Sequence, residues 1–384
     1  MNITDYKRFP KYEYERRWKK AQKLMERENI DALLITEPLN YLYFSGASPT
    51  FSYARVNILI LPRNGNPIIA IHEFVEETTR RETWIKDVRV YKDFIKGPLM
   101  SIAEIFKQLG LMEGRVGAEL GYEQRIGLPF NDFLKLQKMF PRLTFVDASK
   151  LIWEVRVIKS NLEIERLREA CNITSKAYEE CFNEIHEGLS EKDVAKIFIE
   201  KIFKLGGRNP WCFINSGPYN YNVISGGPTN NRLSQGNILW IDGGCTYEEY
   251  WSDFSRIASI GEPSEKQRKM YEITLELTET CIDAIKPGIK ASEIAKLCEE
   301  KAKEKNVEIT FRAGRIGHGI GLMLTEPPHI ALHDNTTLKP GMVITIEPGF
   351  VTDYGCFQAE QVVLVTATGA EILSKASTEL KIIK

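Results

Sequence analysis

The first part of the chain alternates between helical and strand patterns of apolar residues. Tyr14, Trp18, Ala21 and Met25 recur at helical spacing, so they predict an amphipathic helix. Short apolar runs follow, the first at residues 31–35, and two of them flank the turn sequence RNGN, which is typical of a β-hairpin. This alternation predicts an α/β layer domain with a mixed sheet.

The pattern changes near Trp153, where a long helix is predicted. Ser160 and Glu163 have the spacing of a helix-capping box, and apolar residues continue one helical stripe beyond them. We therefore predict two domains, at residues 1–155 and 156–384.

The second domain contains an internal repeat. Segments that begin at Glu187 and Pro287 match each other, and residues 233–244 (LSQGNILWIDGG) match residues 338–349 (LKPGMVITIEPG). A third pair of matched segments follows in the same order. Two copies with so long a period do not make a solenoid. We predict instead a duplicated unit that closes about an approximate two-fold axis.

Each half of this repeat carries two carboxylates near strand ends. Asp242 corresponds to Glu347, and Asp253 corresponds to Glu360 with one residue of slippage. A strand–turn–strand hairpin of this length can bring both side chains to one face. The strands around them are apolar, and carboxylates buried together repel one another unless cations neutralise them. The repeat therefore favours a metal site.

His318, in the segment GHGIG, adds an imidazole to the four carboxylates. This set suits two divalent ions, with Mn²⁺ or Co²⁺ expected first and Fe²⁺ or Zn²⁺ as alternatives. Two such ions about 3.5–4 Å apart can activate water and polarise a carbonyl group. Taken singly, an Asp or Glu at a strand end is usually a turn residue, and a histidine beside glycines is usually structural. The repeat makes the metal site the stronger interpretation.

Composition argues against several classes of function. The net charge is −1, so no overall field favours nucleic acid or an anionic membrane. No apolar run approaches the roughly 20 residues that span a bilayer, and the N-terminus lacks an apolar signal core. The seven cysteines form no CxxC pair, which is typical of reduced cytosolic thiols. We expect a cytoplasmic protein whose partner is a small peptide or small molecule, without nucleic acid or membrane partners.

The candidate ligands, in their sequence contexts, resemble the metal ligands of the creatinase, prolidase and aminopeptidase P family. The matching residues are Asp242, Asp253, His318 in GHGIG, Glu347 in IEPG, and Glu360. The segments YFSG and VRVIKSNLEIERLREA also resemble the family's N-terminal domain and the start of its catalytic domain. The resemblance implies an α+β protein: a creatinase-type α/β domain, then a pita-bread catalytic domain with a pseudo-two-fold internal repeat.

The resemblance also implies roles for these residues. Asp242 would hold one metal ion, while His318 and Glu347 would hold the other. Asp253 and Glu360 would bridge the two ions. Glu347 would also receive the proton of the attacking water. The implied reaction is hydrolysis of the peptide bond before proline, as in Xaa-Pro dipeptidases.

A homodimer is implied as well, in which the N-terminal domain of one subunit borders the pocket of the other. Tyr53 and Arg55 are the candidates for this border.

The residues that would handle the substrate depart from the family pattern. The position seven residues after the metal-binding histidine, normally a second histidine, is Thr325. No histidine lies between His186 and His318, where the family has another. Gln358 stands where the family has an arginine. The substrate-side candidates are therefore Thr325, His329, Gln358, Tyr219 and Arg55, although a surface position on its loop is the more usual interpretation for His329.

These departures keep two other interpretations open. In the first, a non-peptidase of the same fold cleaves a C–N or C–S bond in a small zwitterion, as ectoine hydrolases and dimethylsulfoniopropionate lyases do. In the second, the protein binds a partner without catalysis. The second is disfavoured because relatives of that kind usually lose metal ligands, whereas this chain retains all five.

Overall fold

The computed structural model describes residues 8–49, 55–311 and 313–384. The chain divides into two compact units, Met1–Arg156 and Val157–Lys384. Among the helices of the described residues, none is both long and apolar enough to cross a membrane.

The first unit is built around a mixed β-sheet. Its strands are β1 (Ala32–Ile35), β2 (Ile58–Pro62), β3 (Ile68–His72), β4 (Asp87–Tyr91), β5 (Glu113–Ala118) and β6 (Arg142–Asp147). They lie in the order β4-β3-β2-β1-β5-β6, and β1 pairs antiparallel with β2 but parallel with β5. The predicted α/β domain with a mixed sheet is confirmed.

Helices complete the first unit. They are α1 (Lys11–Arg27), α2 (Pro38–Ser45), α3 (Glu76–Glu82), α4 (Gly97–Gln108), α5 (Phe130–Met139) and α6 (Ser149–Arg156). The apolar face predicted for α1 is present, with Tyr14, Ala21 and Met25 buried. The same helix also buries an ion pair, with Arg17 Nε 2.9 Å from Glu13 Oε1. Apolar periodicity does not predict that pair.

The second unit begins with the predicted long helix. Its helices are α7 (Asn161–Glu184), α8 (Glu191–Lys204), α9 (Glu265–Asp283) and α10 (Ala291–Glu304). The capping box of Ser160 and Glu163 starts α7 as expected, because each side chain accepts the other's backbone N–H.

The strands of the second unit form two main sheets. The first half supplies β7 (Arg208–Ser216), β8 (Ile238–Tyr247), β9 (Tyr250–Trp251) and β10 (Phe254–Ile260). The second half supplies β11 (His318–Gly319), β12 (Glu326–His329), β13 (Val343–Ile346), β14 (Gly349–Val351), β15 (Cys356–Gln358), β16 (Gln361–Val365), β17 (Ala370–Ile372) and β18 (Lys381–Ile383). The main sheets run β18-β10-β8-β7 and β12-β11-β13-β16-β17.

The two halves repeat one another in detail. Ser190 forms an isolated β-bridge with Arg232, and Lys290 forms one with Thr337. The matched segments of the sequence place these two bridges at equivalent positions. Equivalent backbone hydrogen bonds lie beside both bridges, because Gly188 N donates to the carbonyl of residue 233 and Gly288 N donates to that of residue 338. The duplication predicted from sequence is therefore present in the fold.

Candidate metal centre

Two hairpins, one from each half, bring the four carboxylates into one region. Asp242 lies within β8 opposite Ser255 of β10, and Asp253 immediately precedes β10. In the second half Glu347 follows β13 and Glu360 precedes β16. Because the adjacent residues Ile346 and Gln361 are paired, the two glutamates stand across from each other.

The hairpins are joined directly through β10. The backbone N–H of Glu360 donates to Ser255 Oγ at 3.2 Å. Arg256, which is fully buried, donates from Nη1 to the carbonyl oxygen of Glu360 at 2.8 Å. These contacts fix the second-half carboxylate against the strand that follows Asp253.

His318 faces the carboxylates from β11. Its Nε2 lies 3.4 Å from Oδ2 of Asp253 and 3.7 Å from Oε1 of Glu347. Its Nδ1 is 2.9 Å from the carbonyl oxygen of Gly319, so Nδ1 carries the proton and Nε2 presents a lone pair to the carboxylates. Ligand atoms of Asp253, His318 and Glu360 all lie within 4.8 Å of one another.

The glycines beside His318 are required by close packing. A Cβ at Gly317 would collide with the backbone oxygen of Thr345, and one at Gly319 would collide with that of Pro327. At these two glycine positions the backbone lies against neighbouring segments and leaves no room for a side chain. This packing holds the imidazole of His318 in place.

Burial disfavours the ionised form of all four carboxyl groups and so raises their pKa values. It raises the pKa of Asp253 to about 7. It also raises the pKa of Glu347 to about 7, against an opposing effect of His318. The pKa values of Asp242 and Glu360 are raised well above the ordinary range, first by burial and then by the charge of Asp253.

The same region contains polar atoms without hydrogen-bond partners. Oδ1 of Asp242 and both carboxylate oxygens of Glu360 are buried, and no group in residues 8–49, 55–311 and 313–384 donates a hydrogen bond to them. Buried carboxylate oxygens without donors are costly unless a cation binds them. Four carboxylates and one imidazole lone pair form a donor set that suits divalent ions such as Mn²⁺ or Co²⁺. The residues present therefore fit a two-metal site.

The substrate-side candidates lie in different surroundings. Thr325 is half-buried, and His329, in β12, is only 6% exposed, so it is not a surface loop residue. Both contact Arg315, whose Nη2 donates to Thr325 Oγ1 at 3.3 Å and whose Nη1 is 2.8 Å from His329 Nδ1. Arg315 Nε lies 4.0 Å from Glu347 Oε1. These contacts place Thr325 and His329 beside the carboxylates.

Gln358 is fully buried and hydrogen-bonds to Glu347. Its Oε1 accepts from Trp240 Nε1 at 3.0 Å, and its Nε2 donates to Glu347 Oε2 at 3.4 Å and to the Glu347 carbonyl at 3.3 Å.

For the remaining substrate-side candidates, no contact described here links them to the carboxylates. Tyr219 is 97% exposed on the loop after β7. Arg55 lies in the first unit, with its guanidinium 5.2 Å and 5.0 Å from the ring centroids of Phe74 and Phe94. Tyr53 lies outside the described residues.

Comparison with known proteins identifies the family. A sequence model of metallopeptidase family M24 matches residues 165–367, more than half of the chain, and a model of the creatinase/prolidase N-terminal domain matches residues 17–158. The chain belongs to metallopeptidase family M24. As an M24 member it is a metal-dependent hydrolase, and its two domains are of the creatinase and pita-bread types that the resemblance implied.

Several M24 relatives match the chain over nearly its whole length. The Xaa-Pro dipeptidase of Pyrococcus furiosus is 32% identical over 367 residues, covering 95% of this chain and 99% of the relative. The crystal structure of the prolidase from Pyrococcus horikoshii is 30% identical with a TM-score of 0.82, covering 95% and 99%. A recombinant prolidase from Thermococcus sibiricus has a TM-score of 0.85 at 27% identity, covering 96% and 99%.

Two residues of this M24 site were not predicted from the sequence. Arg315 could have been noticed as the cationic residue just before GHGIG, but its contacts with His329 and Glu347 are set by the fold. Trp240, in ILWI, has the pattern of a core residue, and nothing local indicates that its indole N–H binds Gln358.

A cavity of about 760 Å³ is lined in part by Arg315, although none of the five candidate ligands lines it. Its walls are partly apolar, and they include Phe311, Ile316, Ile330 and Leu332. Arg315 lines this cavity and also lies 4.0 Å from Glu347. It therefore connects the cavity to the carboxylates.

Proposed function

We propose that this protein is an Xaa-Pro dipeptidase that hydrolyses the amide bond before proline. The observation that carries the proposal is that the carboxylates of Asp253, Glu347 and Glu360 lie around the imidazole of His318, in a chain 32% identical to an Xaa-Pro dipeptidase over 95% of its length. The alternative of a small zwitterionic substrate has less support, since the relatives compared above are peptidases.

The proposed ligands are divided between the two halves. Asp242 would hold one divalent ion, His318 and Glu347 would hold the other, and Asp253 and Glu360 would complete the ligand set. The first metals to test are Mn²⁺ and Co²⁺. When bound, two such ions activate water and polarise the carbonyl group of the substrate.

Glu347 is the proposed proton carrier. Its Oε1 faces His318 Nε2, and its Oε2 accepts from Gln358, so the carboxylate is held from two sides. It would accept a proton from the attacking water and deliver it to the proline nitrogen as that nitrogen leaves.

The test is a small panel of peptides offered to the protein after reconstitution with Mn²⁺ or Co²⁺. The panel contains Xaa-Pro dipeptides, one Xaa-Pro-Yaa tripeptide and one dipeptide without proline. We expect cleavage of Xaa-Pro, with a loss of about 10²–10⁴ in kcat/KM for Glu347→Ala. The matched control is Glu272→Ala on the exposed face of α9, which should keep full activity.

Metal binding without cleavage of any panel peptide would contradict this function. Small zwitterionic amides and sulfonium compounds would then be the substrates to test. Equal activity in Glu347→Ala and Glu272→Ala would remove Glu347 from the proposed chemistry and leave the substrate assignment intact.

Two further features belong to this proposal. We place the enzyme in the cytoplasm, as its cysteines favour, because the described thiols are free and Cys171, Cys181, Cys245, Cys281, Cys298 and Cys356 are buried. We also propose a homodimer in which Arg55 borders the pocket of the other subunit. Light scattering of the full chain, and of Arg55→Glu, tests the assembly.

A further inference from the structure

Arg315 lies three residues before His318, and its guanidinium is held in one orientation. Nη1 donates to His329 Nδ1 at 2.8 Å, and Nη2 donates to Thr325 Oγ1 at 3.3 Å. Nε is a buried N–H with no hydrogen-bond acceptor among the described residues, and its 4.0 Å separation from Glu347 Oε1 is too long for a hydrogen bond. Two neutral partners thus fix the group and leave one donor on the side of Glu347.

The small side chain of Thr325 leaves room for the guanidinium of Arg315. Thr325 is half-buried and occupies the position where the family usually has a histidine. Nη2 of Arg315 lies 3.3 Å from Thr325 Oγ1, so a larger imidazole at position 325 would compete with the guanidinium for the same space. The chain therefore keeps an N–H donor beside this position, although residue 325 no longer supplies an imidazole.

The strand register places the same groups on one face. His318 of β11 and His329 of β12 are directly opposite each other, so their side chains project to the same side of the strand pair. Arg315 donates to Nδ1 of His329, so the proton of that neutral imidazole lies on Nε2. Arg315 therefore joins the face from which His318 reaches the carboxylates.

Charge balance gives the guanidinium a function there. Two divalent cations would balance the four carboxylates, and Arg315 then adds a positive charge that the metal centre does not neutralise. A fixed positive donor beside a carbonyl under attack stabilises the negative charge that develops on its oxygen. The unpartnered Nε–H is the donor available for this contact.

We propose that Arg315 is a catalytic residue that replaces the imidazole absent at position 325. Its Nε–H donates to the carbonyl oxygen of the peptide bond, and this hydrogen bond strengthens in the transition state. The inference rests on the proposed peptidase activity and adds a residue to it.

The first experiment compares Arg315→Ala and Arg315→Lys with Arg268→Ala, a control at a more exposed arginine on α9. We expect Arg315→Ala to lower kcat/KM for an Xaa-Pro dipeptide by about 10²–10³, mainly through kcat. Lysine keeps the charge but loses the planar fork, so Arg315→Lys should recover only part of this loss. Arg268→Ala should match the unaltered enzyme.

Rescue separates a catalytic role from a structural one. Guanidinium ion, added below denaturing concentration, should restore part of the activity of Arg315→Ala and leave Arg268→Ala unchanged. Thr325→His in the Arg315→Ala background should also recover activity, because it returns a donor to the neighbouring position. Metal content and melting temperature, measured for each variant, show whether the fold is intact.

The outcomes distinguish this inference from the proposed function. If the unaltered enzyme cleaves Xaa-Pro and a folded, metal-loaded Arg315→Ala does so equally well, the role of Arg315 is wrong and the function stands. If the unaltered protein cleaves no panel peptide and calorimetry shows no binding of a phosphinic Xaa-Pro analogue, the function fails and the role of Arg315 fails with it. If the protein cleaves no panel peptide but binds the analogue, the affinity of Arg315→Ala for the analogue decides the role of Arg315. Weaker binding by about 10² in Arg315→Ala supports that role, whereas equal affinity overturns it.

Discussion

At the scale of single residues, Gln358 shows how a neutral side chain can organise a charged site. It links the indole of Trp240 to the carboxylate of Glu347, and neither Gln358 nor Trp240 has any exposed surface. An amide can do this because it accepts at one atom and donates at the other. We therefore predict that Gln358 positions the carboxylate of Glu347.

Replacing Gln358 by leucine should affect both activity and stability. Gln358→Leu removes the donor to Glu347 and leaves the Trp240 N–H buried without an acceptor. We expect kcat to fall about tenfold and the free energy of unfolding to fall by about 1–3 kcal/mol. Steady-state kinetics and denaturant unfolding measure the two effects.

The matched control for this change is Gln137→Leu on the exposed side of α5, which should alter neither quantity. If Gln358→Leu lost stability but kept kcat, Gln358 would support the core without orienting Glu347.

At the scale of elements, the sequence pattern predicted the features that are stabilised by residues close together in the chain. The capping box that starts α7 needs only Ser160 and Glu163, and both are readable from the sequence. Strand β12 is different, because it contains Pro327 and Pro328 and reads as a stiff loop. It is a strand because β11 pairs with it in an antiparallel arrangement. The apolar pattern of the sequence does not predict this pairing.

One buried ion pair anchors β12 to the segment before α7. Lys159 Nζ lies 3.1 Å from Glu326 Oε2, and both side chains are almost fully buried. Lys159→Met should lower the free energy of unfolding by about 3–5 kcal/mol, because it leaves a buried carboxylate without its cation. The double variant Lys159→Met with Glu326→Gln should recover much of this loss, as measured by denaturant unfolding.

An exposed pair provides the comparison. Arg81 and Glu77 are 2.8 Å apart on α3 with both side chains largely in water, so Arg81→Met should change stability by about 0.5 kcal/mol or less. An equally small effect of Lys159→Met would mean that water reaches the pair, and it would contradict the burial described here.

At the scale of the whole molecule, the duplication was predictable because two matched halves leave a trace in the sequence that does not depend on contacts. The five candidate ligands could be located for a related reason, since each follows or precedes a recognisable strand or glycine motif. The place of Arg315 could not, because its orientation depends on two side chains of another segment. Sequence patterns predict the helices and strands and the positions of the candidate ligands along them. They do not predict the orientation of a side chain such as Arg315, because that orientation depends on packing between distant segments.

Metal removal should destabilise the whole chain. Ions that bind only the folded state stabilise it by mass action, by about 4 kcal/mol at a thousand-fold excess over Kd. We expect Mn²⁺ or Co²⁺ to raise the melting temperature and a chelator to lower it again. In the double variant Asp253→Ala with Glu360→Ala, the added ion should have little effect; an unchanged metal response there would place the ions elsewhere.

The matched β-bridges at Ser190 and Lys290 have a consequence for how a substrate is oriented. Two related hairpins about an approximate axis have no preferred direction, whereas a peptide runs from an amino end to a carboxyl end. The side chains that break the equivalence, His318, Arg315 and Thr325, all come from the second half of the chain. In the proposed peptidase these three residues would help to fix the polarity of the bound peptide, and exchanging them for their first-half counterparts should reduce the discrimination between its two ends.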